Sequence, residues 1–342
     1  MSFILFSLTA ASHADTLTIL NWEEYLSEEV ISAWEKQSGH EIHQIYFDND
    51  EHRDSILLNH KDKIIDLVII DEIYAQEFGK IGRLTPTASY PTHSNIENVD
   101  RDFQKSCGDY GVPYLWGTLG IVYRTDKILT EPRSWNFILK PTDELKQHIG
   151  FIDDFMDMLA PSLFILGKLI NTENTDDLKQ AFNIMKELVP SILTFEYSIS
   201  FVDADKKSDQ LYVALAYSGD QDTLNSKAGK DIWKFTTLEE GTITWVDCFS
   251  VINDSPRKNI AYDFLNFIYK PEIAAKNSES VYVASPLAAA RLLQSEDFLF
   301  DKSVYPNLKK IKNVQQYKPV NPKNIILRNR ITSSLIKSHD SQ

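Results

Sequence analysis

Residues 17–46 read LTILNWEEYLSEEVISAWEKQSGHEIHQIY, and this stretch sets the fold class of the chain. It predicts a strand at Leu17–Trp22, a helix at Ser27–Gln37 whose apolar residues recur at helical spacing, and a strand at Glu41–Tyr46. A polar helix and the apolar strand Ile64–Ile70 follow. Strands that alternate with helices indicate an α/β fold with a parallel sheet. Near-continuous apolar strands indicate that both faces of the sheet are covered.

The same alternation resumes in the middle of the chain. Further strands are predicted at Tyr114–Arg124, Ile149–Ile152, Leu211–Tyr217 and Ile243–Ile252, and further helices at Phe155–Ile170, Thr175–Val189 and Asn259–Tyr269. The 342 residues suffice for about two domains. Because no linker rich in Pro, Gly and Ser divides them, we expect the chain to cross between two lobes more than once.

The chain is acidic and rich in aromatic residues. Its formal net charge is −14, its hydrophobic content is 43% and its aromatic content is 11%. The hydrophobic content is that of an ordinary globular protein and argues against intrinsic disorder. The surplus of acids argues against nucleic acid as a partner, because phosphates demand Lys and Arg. Acids beside aromatic rings instead suit the capture of an organic cation.

The N-terminus has the pattern of a secretory signal peptide. Residues 1–14 read MSFILFSLTAASHA, an apolar stretch that ends in the small-x-small cleavage pattern Ser12–Ala14, although the positively charged start is missing. A buried first strand is the alternative. No later segment reaches the roughly 18 apolar residues that a spanning helix needs. We therefore expect residues 1–14 to be removed and the remaining chain to be exported.

The two cysteines, Cys107 and Cys248, could form one disulfide in an oxidising compartment. Since they lie far apart in the sequence, bonded and unbonded states both remain open. Neither has a His or Cys at ligand spacing, so we expect no metal, and no motif implies a cofactor.

Motifs of the common enzyme classes are absent from the sequence. There is no P-loop, no dinucleotide-binding glycine motif and no G-x-S-x-G elbow, and none of the eight histidines lies in H-E-x-x-H. We therefore expect a protein that is not an enzyme. A hydrolase that uses two carboxylates, as glycosidases do, is a remote alternative.

Acids and aromatic residues recur together where the predicted strands end. These candidate ligand-binding residues are Trp22, Glu24, Tyr25, Asp71, Tyr74, Asp154, Asp157, Tyr217, Trp245 and Asp247. In open α/β sheets, ligands bind outside the carboxyl ends of the strands. A carboxylate there could hold an ammonium group while aromatic faces pack on methylene segments. Each residue also has a structural alternative: Asp154 could cap a helix, and Trp22, Tyr74 and Trp245 could be core residues.

Several of these residues lie in motifs of a known family. NWEEY (Asn21–Tyr25), VPYLWGT (Val112–Thr118), TWVD (Thr244–Asp247) and ASPLAAAR (Ala284–Arg291), with the acids Asp153, Asp154 and Asp157, resemble the periplasmic spermidine/putrescine-binding proteins. These are type II substrate-binding proteins that serve ABC transporters. The resemblance spans nearly the whole mature chain. It implies a two-lobed α/β periplasmic binding protein fold whose ligand cleft lies between the lobes.

The resemblance also implies boundaries and roles. Lobe 1 would comprise residues 15–123 plus 247–291, and lobe 2 residues 124–246 plus 292–342. Trp22, Glu24 and Tyr25 match a first-lobe clamp, Asp154 and Asp157 match a pair that grips an amino group, Tyr217 matches a packing aromatic, and Trp245 and Asp247 match a Trp-x-Asp motif that binds a central amine.

The sequence departs from the family pattern at three places. Asp71 and Glu72 stand where transport members have small polar residues followed by Tyr. Tyr282, a further candidate ligand-binding residue, comes one place before the ligand-contacting Tyr of the family, whose place holds Val283. A late Gln of the family matches Gln316 or Tyr317.

A second resemblance narrows the expected role. SGHEI (Ser38–Ile42), FDND (Phe47–Asp50), CGDYGVPYLWGT (Cys107–Thr118) and YSGD (Tyr217–Asp220) are similar to the norspermidine-sensor branch of the family. Those proteins bind polyamine in the periplasm and engage an inner-membrane GGDEF/EAL protein that controls cyclic-di-GMP and biofilm formation. The resemblance implies a monomeric polyamine sensor. The alternative is the substrate-binding component of a spermidine/putrescine ABC transporter, with a permease as its membrane partner.

Overall fold

The computed structural model describes residues 14–47, 50–59, 64–91, 95–204 and 207–342. Within these ranges the chain forms ten strands and thirteen α-helices. The strands are β1 (Thr16–Asn21), β2 (Glu41–Tyr46), β3 (Leu67–Asp71), β4 (Val112–Arg124), β5 (Ile149–Gly150), β6 (Ile192–Thr194), β7 (Val213–Tyr217), β8 (Trp233–Thr236), β9 (Thr242–Val251) and β10 (Val314–Gln316). The helices are α1 (Glu28–Ser38), α2 (Asp50–Asn59), α3 (Glu72–Lys80), α4 (Asn136–Leu139), α5 (Ala160–Ile165), α6 (Thr175–Leu188), α7 (Ser198–Ala204), α8 (Asp220–Ala228), α9 (Lys258–Ile268), α10 (Pro271–Ser280), α11 (Ala288–Arg291), α12 (Glu296–Phe300) and α13 (Pro322–Asp340).

The expected signal peptide lies outside the described residues, except for its last residue, Ala14. In the part of the chain that the structure describes, no helix has both the length and the apolar character needed to cross a membrane.

All ten of these strands join one mixed sheet. Its main path has the order β2-β1-β3-β9-β4-β7-β5-β6, while β10 pairs with β9 and β8 pairs with β4. The flanks are parallel, as the alternation of strands and helices predicts. The centre is antiparallel, because β9 runs against both β3 and β4, and β4 runs against β7. The local sequence pattern does not predict this reversal.

Two long central strands connect the lobes. Residues 112–118 of β4 pair with β9, and residues 119–123 pair with β7. Strand β9 begins beside β10 at Thr242 and ends beside β3 at Val251. The architecture is therefore a two-lobed α/β fold in which continuous strands, rather than a flexible linker, carry the chain between the lobes.

Alternate residues of β3 pack into cores on opposite faces of the sheet. Leu67 and Ile69 belong to a core that includes α1 and α9, whereas Val68 and Ile70 belong to a core that includes α2 and α3. This arrangement confirms a sheet that is covered on both faces. The second core also contains Phe298. Phe298 of α12 thus packs with residues of α2 and α3.

The predicted helix Phe155–Ile170 is shorter in the structure. A 3-10 turn at Asp157–Leu159 precedes α5, which ends at Ile165. Pro161 lies in the first turn of α5, where a missing N–H group costs no hydrogen bond. Gly167 then adopts a left-handed φ of 66°, a conformation that glycine favours after a helix.

Cys107 and Cys248 form a disulfide in the structure. Their Cα atoms lie 5.9 Å apart although 141 positions separate them in the sequence. Both residues are fully buried. The bond ties the segment that precedes β4 to β9, at the position next to Asp247, and thereby braces the first-lobe side of the candidate site.

Candidate functional site

The centre of the candidate site is the acid–aromatic pair on β9. Trp245 and Asp247 stand two positions apart and share a strand face, as predicted. Asp247 lies directly opposite Asp71 of β3 in the antiparallel register. The hydroxyl of Tyr25 donates to Oδ2 of Asp247 at 2.8 Å. Burial, opposed by this hydrogen bond and reinforced by the charge of Asp71, raises the pKa of Asp247 to about 7. Two carboxylates on facing strand positions repel each other and favour a cationic partner.

The indole of Trp245 lies against the backbone of β4. A Cβ atom at Gly117 would stand 2.3 Å from the Cζ2 atom of Trp245, so only glycine admits the ring at that distance. The indole and the ring of Tyr217 meet edge to face, with 6.2 Å between ring centroids. The packing explains the glycine of the VPYLWGT motif and brings two predicted aromatic residues together.

Asp154 enters the site from the second lobe, just after β5. Its Oδ1 accepts the backbone N–H groups of Met156 and Asp157, both at 2.7 Å. Burial and the charge of Asp157, against these two hydrogen bonds, raise the pKa of Asp154 to about 7. Oδ1 of Asp154 therefore caps the turn that follows, as its structural alternative holds. None of the described hydrogen bonds involves Oδ2 of Asp154.

Two tyrosine hydroxyls hold Asp157, one on each carboxylate oxygen. Tyr217 at the end of β7 donates to Oδ2, and Tyr317 beyond β10 donates to Oδ1. Burial raises the pKa of Asp157, the two hydroxyls lower it, and the charge of Asp50 raises it. Asp50 belongs to α2 of the first lobe, so acids of both lobes lie close enough to interact. Of the two residues that match the late family Gln, Tyr317 reaches the site.

The first-lobe motif divides between the core and the site. The ring of Trp22 packs on Phe47 at 4.3 Å between centroids, and it contacts the first-lobe cores, as its structural alternative holds. Tyr25 reaches Asp247, and its backbone carbonyl accepts the hydroxyl of Tyr114 at 2.7 Å. Glu24 is exposed and has a left-handed φ of 56°. The structure thus brings Tyr25 to the central acid but leaves Glu24 in solvent.

Asp71 and Tyr74 are engaged by a residue that sequence reasoning missed. Oδ1 of Asp71 accepts the N–H groups of Ile73 and Tyr74 at 3.0 Å and caps α3. Its Oδ2 pairs with Nη1 of Arg53 at 3.2 Å. The guanidinium of Arg53 also lies 4.8 Å from the ring centroid of Tyr74. The only sequence signal for this residue is its spacing of three from Asp50, which places both on one side of α2.

Glu72 adds a further buried carboxyl group beside the central acid. The backbone N–H of Val246 donates to its Oε2 at 3.1 Å. Burial and the charge of Asp71, against backbone hydrogen bonds, raise the pKa of Glu72 to about 8. Glu72, which departs from the family pattern, thus binds the backbone of Val246 between Trp245 and Asp247.

Tyr282 lies with a different set of groups. Its hydroxyl donates to Oδ2 of Asp301 at 2.6 Å, and its ring meets the edge of Phe298 at 5.3 Å. It lines a surface cavity of about 350 Å³ together with Glu279 and Asp297. Its backbone φ is 56°, in the left-handed region. The structure therefore does not join Tyr282 to the acids around Asp247.

Three acids of the site have no cationic partner in an ion pair. Asp154, Asp157 and Asp247 take part in none of the ion pairs that the described residues form. Nor do the described residues hold a group of three or more His, Cys, Asp or Glu with the geometry of a metal site. Hydroxyl groups and aromatic rings surround the acids instead, which is an environment suited to an organic cation.

Comparison with known proteins assigns the chain to a family. The model of the bacterial extracellular solute-binding proteins matches residues 29–298. The chain belongs to this family. The family is one of solute-binding proteins, and the chain is accordingly a binding protein rather than an enzyme, as predicted.

The chain matches two curated relatives over nearly the whole length of each relative. The "Norspermidine sensor" of Vibrio cholerae serotype O1 is 31% identical over 326 residues, which cover 95% of this chain and 90% of the relative. The "Spermidine/putrescine-binding periplasmic protein" of Escherichia coli strain K12 is 27% identical over 317 residues, which cover 89% of this chain and 88% of the relative. These findings confirm the resemblance that the motifs carry.

Solved structures confirm the two-lobed fold. A spermidine/putrescine ABC transporter substrate-binding protein from Streptococcus pneumoniae, in complex with calcium and HEPES, aligns with a TM-score of 0.81 at 22% identity and covers 95% of this chain and 100% of its own. A putative spermidine/putrescine ABC transporter from Listeria monocytogenes aligns with the same TM-score at 25% identity and covers 94% of this chain and 98% of its own.

Proposed function

We propose that this chain binds a polyamine of the norspermidine or spermidine type between its two lobes. The observation that carries the proposal is a group of three carboxylates, the buried Asp157 and the partly buried Asp154 and Asp247, which form no ion pair among the described residues. A flexible polycation would compensate acids of both lobes at once, and desolvated charges of one sign gain most from such a partner. The names of both curated relatives support this ligand class.

The aromatic residues give the site its selectivity for an extended amine. The rings of Tyr217 and Trp245 meet edge to face at the site and offer apolar surface to methylene segments. The hydroxyls of Tyr25, Tyr217 and Tyr317 orient the carboxylates before a ligand arrives. Ligand binding favours the closed arrangement because an ammonium chain contacts both lobes only when they approach each other.

We infer that the polyamine-bound chain acts as a sensor. Its inner-membrane partner would be a GGDEF/EAL protein that controls cyclic-di-GMP, and the norspermidine sensor of Vibrio cholerae supports this role by its higher identity. The alternative is delivery of the polyamine to an ABC permease, which the transport relatives support. We place the chain in the periplasm as a monomer, exported through residues 1–14. Neighbouring genes for a cyclic-di-GMP membrane protein or for a permease and an ATPase distinguish the two roles.

Calorimetric titration of the purified mature chain with norspermidine, spermidine and putrescine tests the ligand class. We expect heat of binding, and a raised melting temperature, with at least one of the three amines. The absence of both signals for all three amines would refute the proposal. Deletion of the gene in its native host separates the roles: loss of labelled spermidine uptake indicates transport, whereas loss of a polyamine-dependent change in biofilm indicates sensing.

A further inference from the structure

The acids of the first lobe already hold a cation of the protein. The side chain of Arg53 is 1% exposed. Its Nη1 donates to Oδ1 of Asp50 at 2.6 Å and to Oδ2 of Asp71 at 3.2 Å, and its Nε and Nη2 donate to Oδ1 of Asp54 at 3.0 and 2.9 Å. The guanidinium thus satisfies three carboxylates from one position on α2.

Arg53 also contacts the ring of Tyr74, which the sequence analysis predicts to contact a ligand. The guanidinium carbon lies 4.8 Å from the ring centroid of Tyr74 and 5.9 Å from that of Phe47. A carboxylate together with an aromatic face is the pair of contacts expected for a bound ammonium. At Asp71 and Tyr74, therefore, a protein cation makes the contacts that a ligand ammonium would make.

The position of Arg53 is coupled to the central acid of the site. Asp71 lies opposite Asp247 in the β3–β9 register, and the charge of Arg53 acts on Asp247 together with those of Asp71 and Asp50. Arg53 pairs with the first-lobe acids around Asp71, whereas Asp247, Asp154 and Asp157 take part in none of the described ion pairs and are left for a ligand. A longer polyamine has an additional ammonium, and Arg53 already occupies the first-lobe carboxylates Asp50, Asp54 and Asp71 that could receive it.

We propose that Arg53 determines ligand specificity by filling one cation position of the cleft, so that the cleft accepts a triamine and disfavours a tetraamine. This inference rests on the proposed function. If Arg53 is replaced by a neutral side chain of similar length, Asp71 becomes available to a further ligand ammonium. Because a hydrogen bond to a charged group is stronger than a neutral one, the affinity for the tetraamine should then rise about ten-fold relative to the triamine.

The experiment titrates the mature full chain with norspermidine and with spermine and compares the ratio of the two Kd values between variants. In Arg53→Met the ratio should shift about ten-fold towards spermine. In the double variant Arg53→Met/Asp71→Asn the shift should disappear, because the carboxylate for the added ammonium is gone while the amide oxygen can still cap α3. Arg53→Lys should keep the wild-type ratio, since it retains the positive charge.

A matched control distinguishes specificity from a general loss of structure. Arg124 is similarly buried, with a side chain that is 7% exposed, and it pairs with Asp126 at the far end of β4. Arg124→Met should leave the ratio unchanged, and melting curves report whether each variant is folded. Where Arg53→Met does not fold, Arg53→Gln carries the same comparison because it keeps hydrogen-bond donors without the charge.

The role of Arg53 would be overturned by an unchanged ratio of the two Kd values in the folded neutral variant, or by a shift that survives in the double variant. Either result would leave the proposed function intact. If the wild-type chain binds no polyamine, the proposed function falls, and this inference falls with it.

Discussion

Replacement of Asp247 by Asn should lower the affinity for a polyamine and raise the stability of the ligand-free chain. The amide keeps an oxygen that can accept the hydroxyl of Tyr25, which lies 2.8 Å from the carboxylate. It removes the negative charge that a ligand ammonium would meet in a buried environment. Loss of one partner from such a pair costs about 3–5 kcal/mol, which weakens binding by roughly two to four orders of magnitude.

The same substitution should stabilise the ligand-free chain. Asp247 faces Asp71 across β3 and β9, and burial together with this charge raises its pKa to about 7. Removal of a buried like charge relieves this repulsion, so the melting temperature without ligand should rise while affinity falls. A loss of affinity with a lowered melting temperature would instead indicate a purely structural role.

Calorimetry with norspermidine measures the affinity, and differential scanning calorimetry measures the melting temperature. Asp177→Asn is the matched control, because Asp177 is also buried but pairs with Lys168 at the N-terminal end of α6. The control should bind norspermidine as the wild type does. A Kd of Asp247→Asn within about three-fold of the wild type would remove Asp247 from the binding site.

Three further predictions follow from the geometry. Burial raises the pKa of Asp154 and Asp247 to about 7 in the folded chain, above the ordinary value of 3.8, so the folded ligand-free form gains protons that the unfolded form lacks. The melting temperature should therefore rise as the pH falls from about 8 to about 6, and a fall over this interval contradicts it. Replacement of both Cys107 and Cys248 by Ala should lower the free energy of unfolding by about 4–5 kcal/mol, because the bond closes a loop with a separation of 141; equal urea midpoints with and without the bond contradict this. Gly117→Ala should weaken norspermidine binding by about ten-fold in calorimetry, because a Cβ there would stand 2.3 Å from the indole on β9, and unchanged binding would show that the ring position is unimportant.

Much of the fold was predictable because its signals are local. Strand β2 (Glu41–Tyr46) has the predicted bounds, and α6 ends one residue before the prediction, at Leu188. In α6 the apolar residues recur at helical spacing, and they include the buried Leu178, Met185 and Leu188. The helix expected at Phe155–Ile170 is shorter in the structure, because a 3-10 turn precedes Pro161 at the start of α5 and Gly167 follows its end. Apolar periodicity does not register these interruptions.

Part of the site was also predictable. Trp245 and Asp247 share a strand face, and Tyr25, Asp157 and Tyr217 come together with them or with each other through hydrogen bonds and ring contacts. The acid–aromatic pattern at strand ends found these residues because strand ends converge in an α/β sheet. Glu24 shares the pattern and its family match, but the structure leaves it in solvent. Tyr282 lies one place from a family match, and the structure pairs it with Asp301.

The amino-acid sequence by itself determined the alternation of strands and helices, the acid–aromatic character of the strand ends and the family. These properties depend on neighbouring residues or on motifs that can be read in order. Only the tertiary structure decided which charges meet. Arg53 reaches Asp71 across 18 positions, and Tyr317 reaches Asp157 across 160. Such pairs depend on strand register and on the rotation of a helix about its axis, and no local periodicity encodes either one.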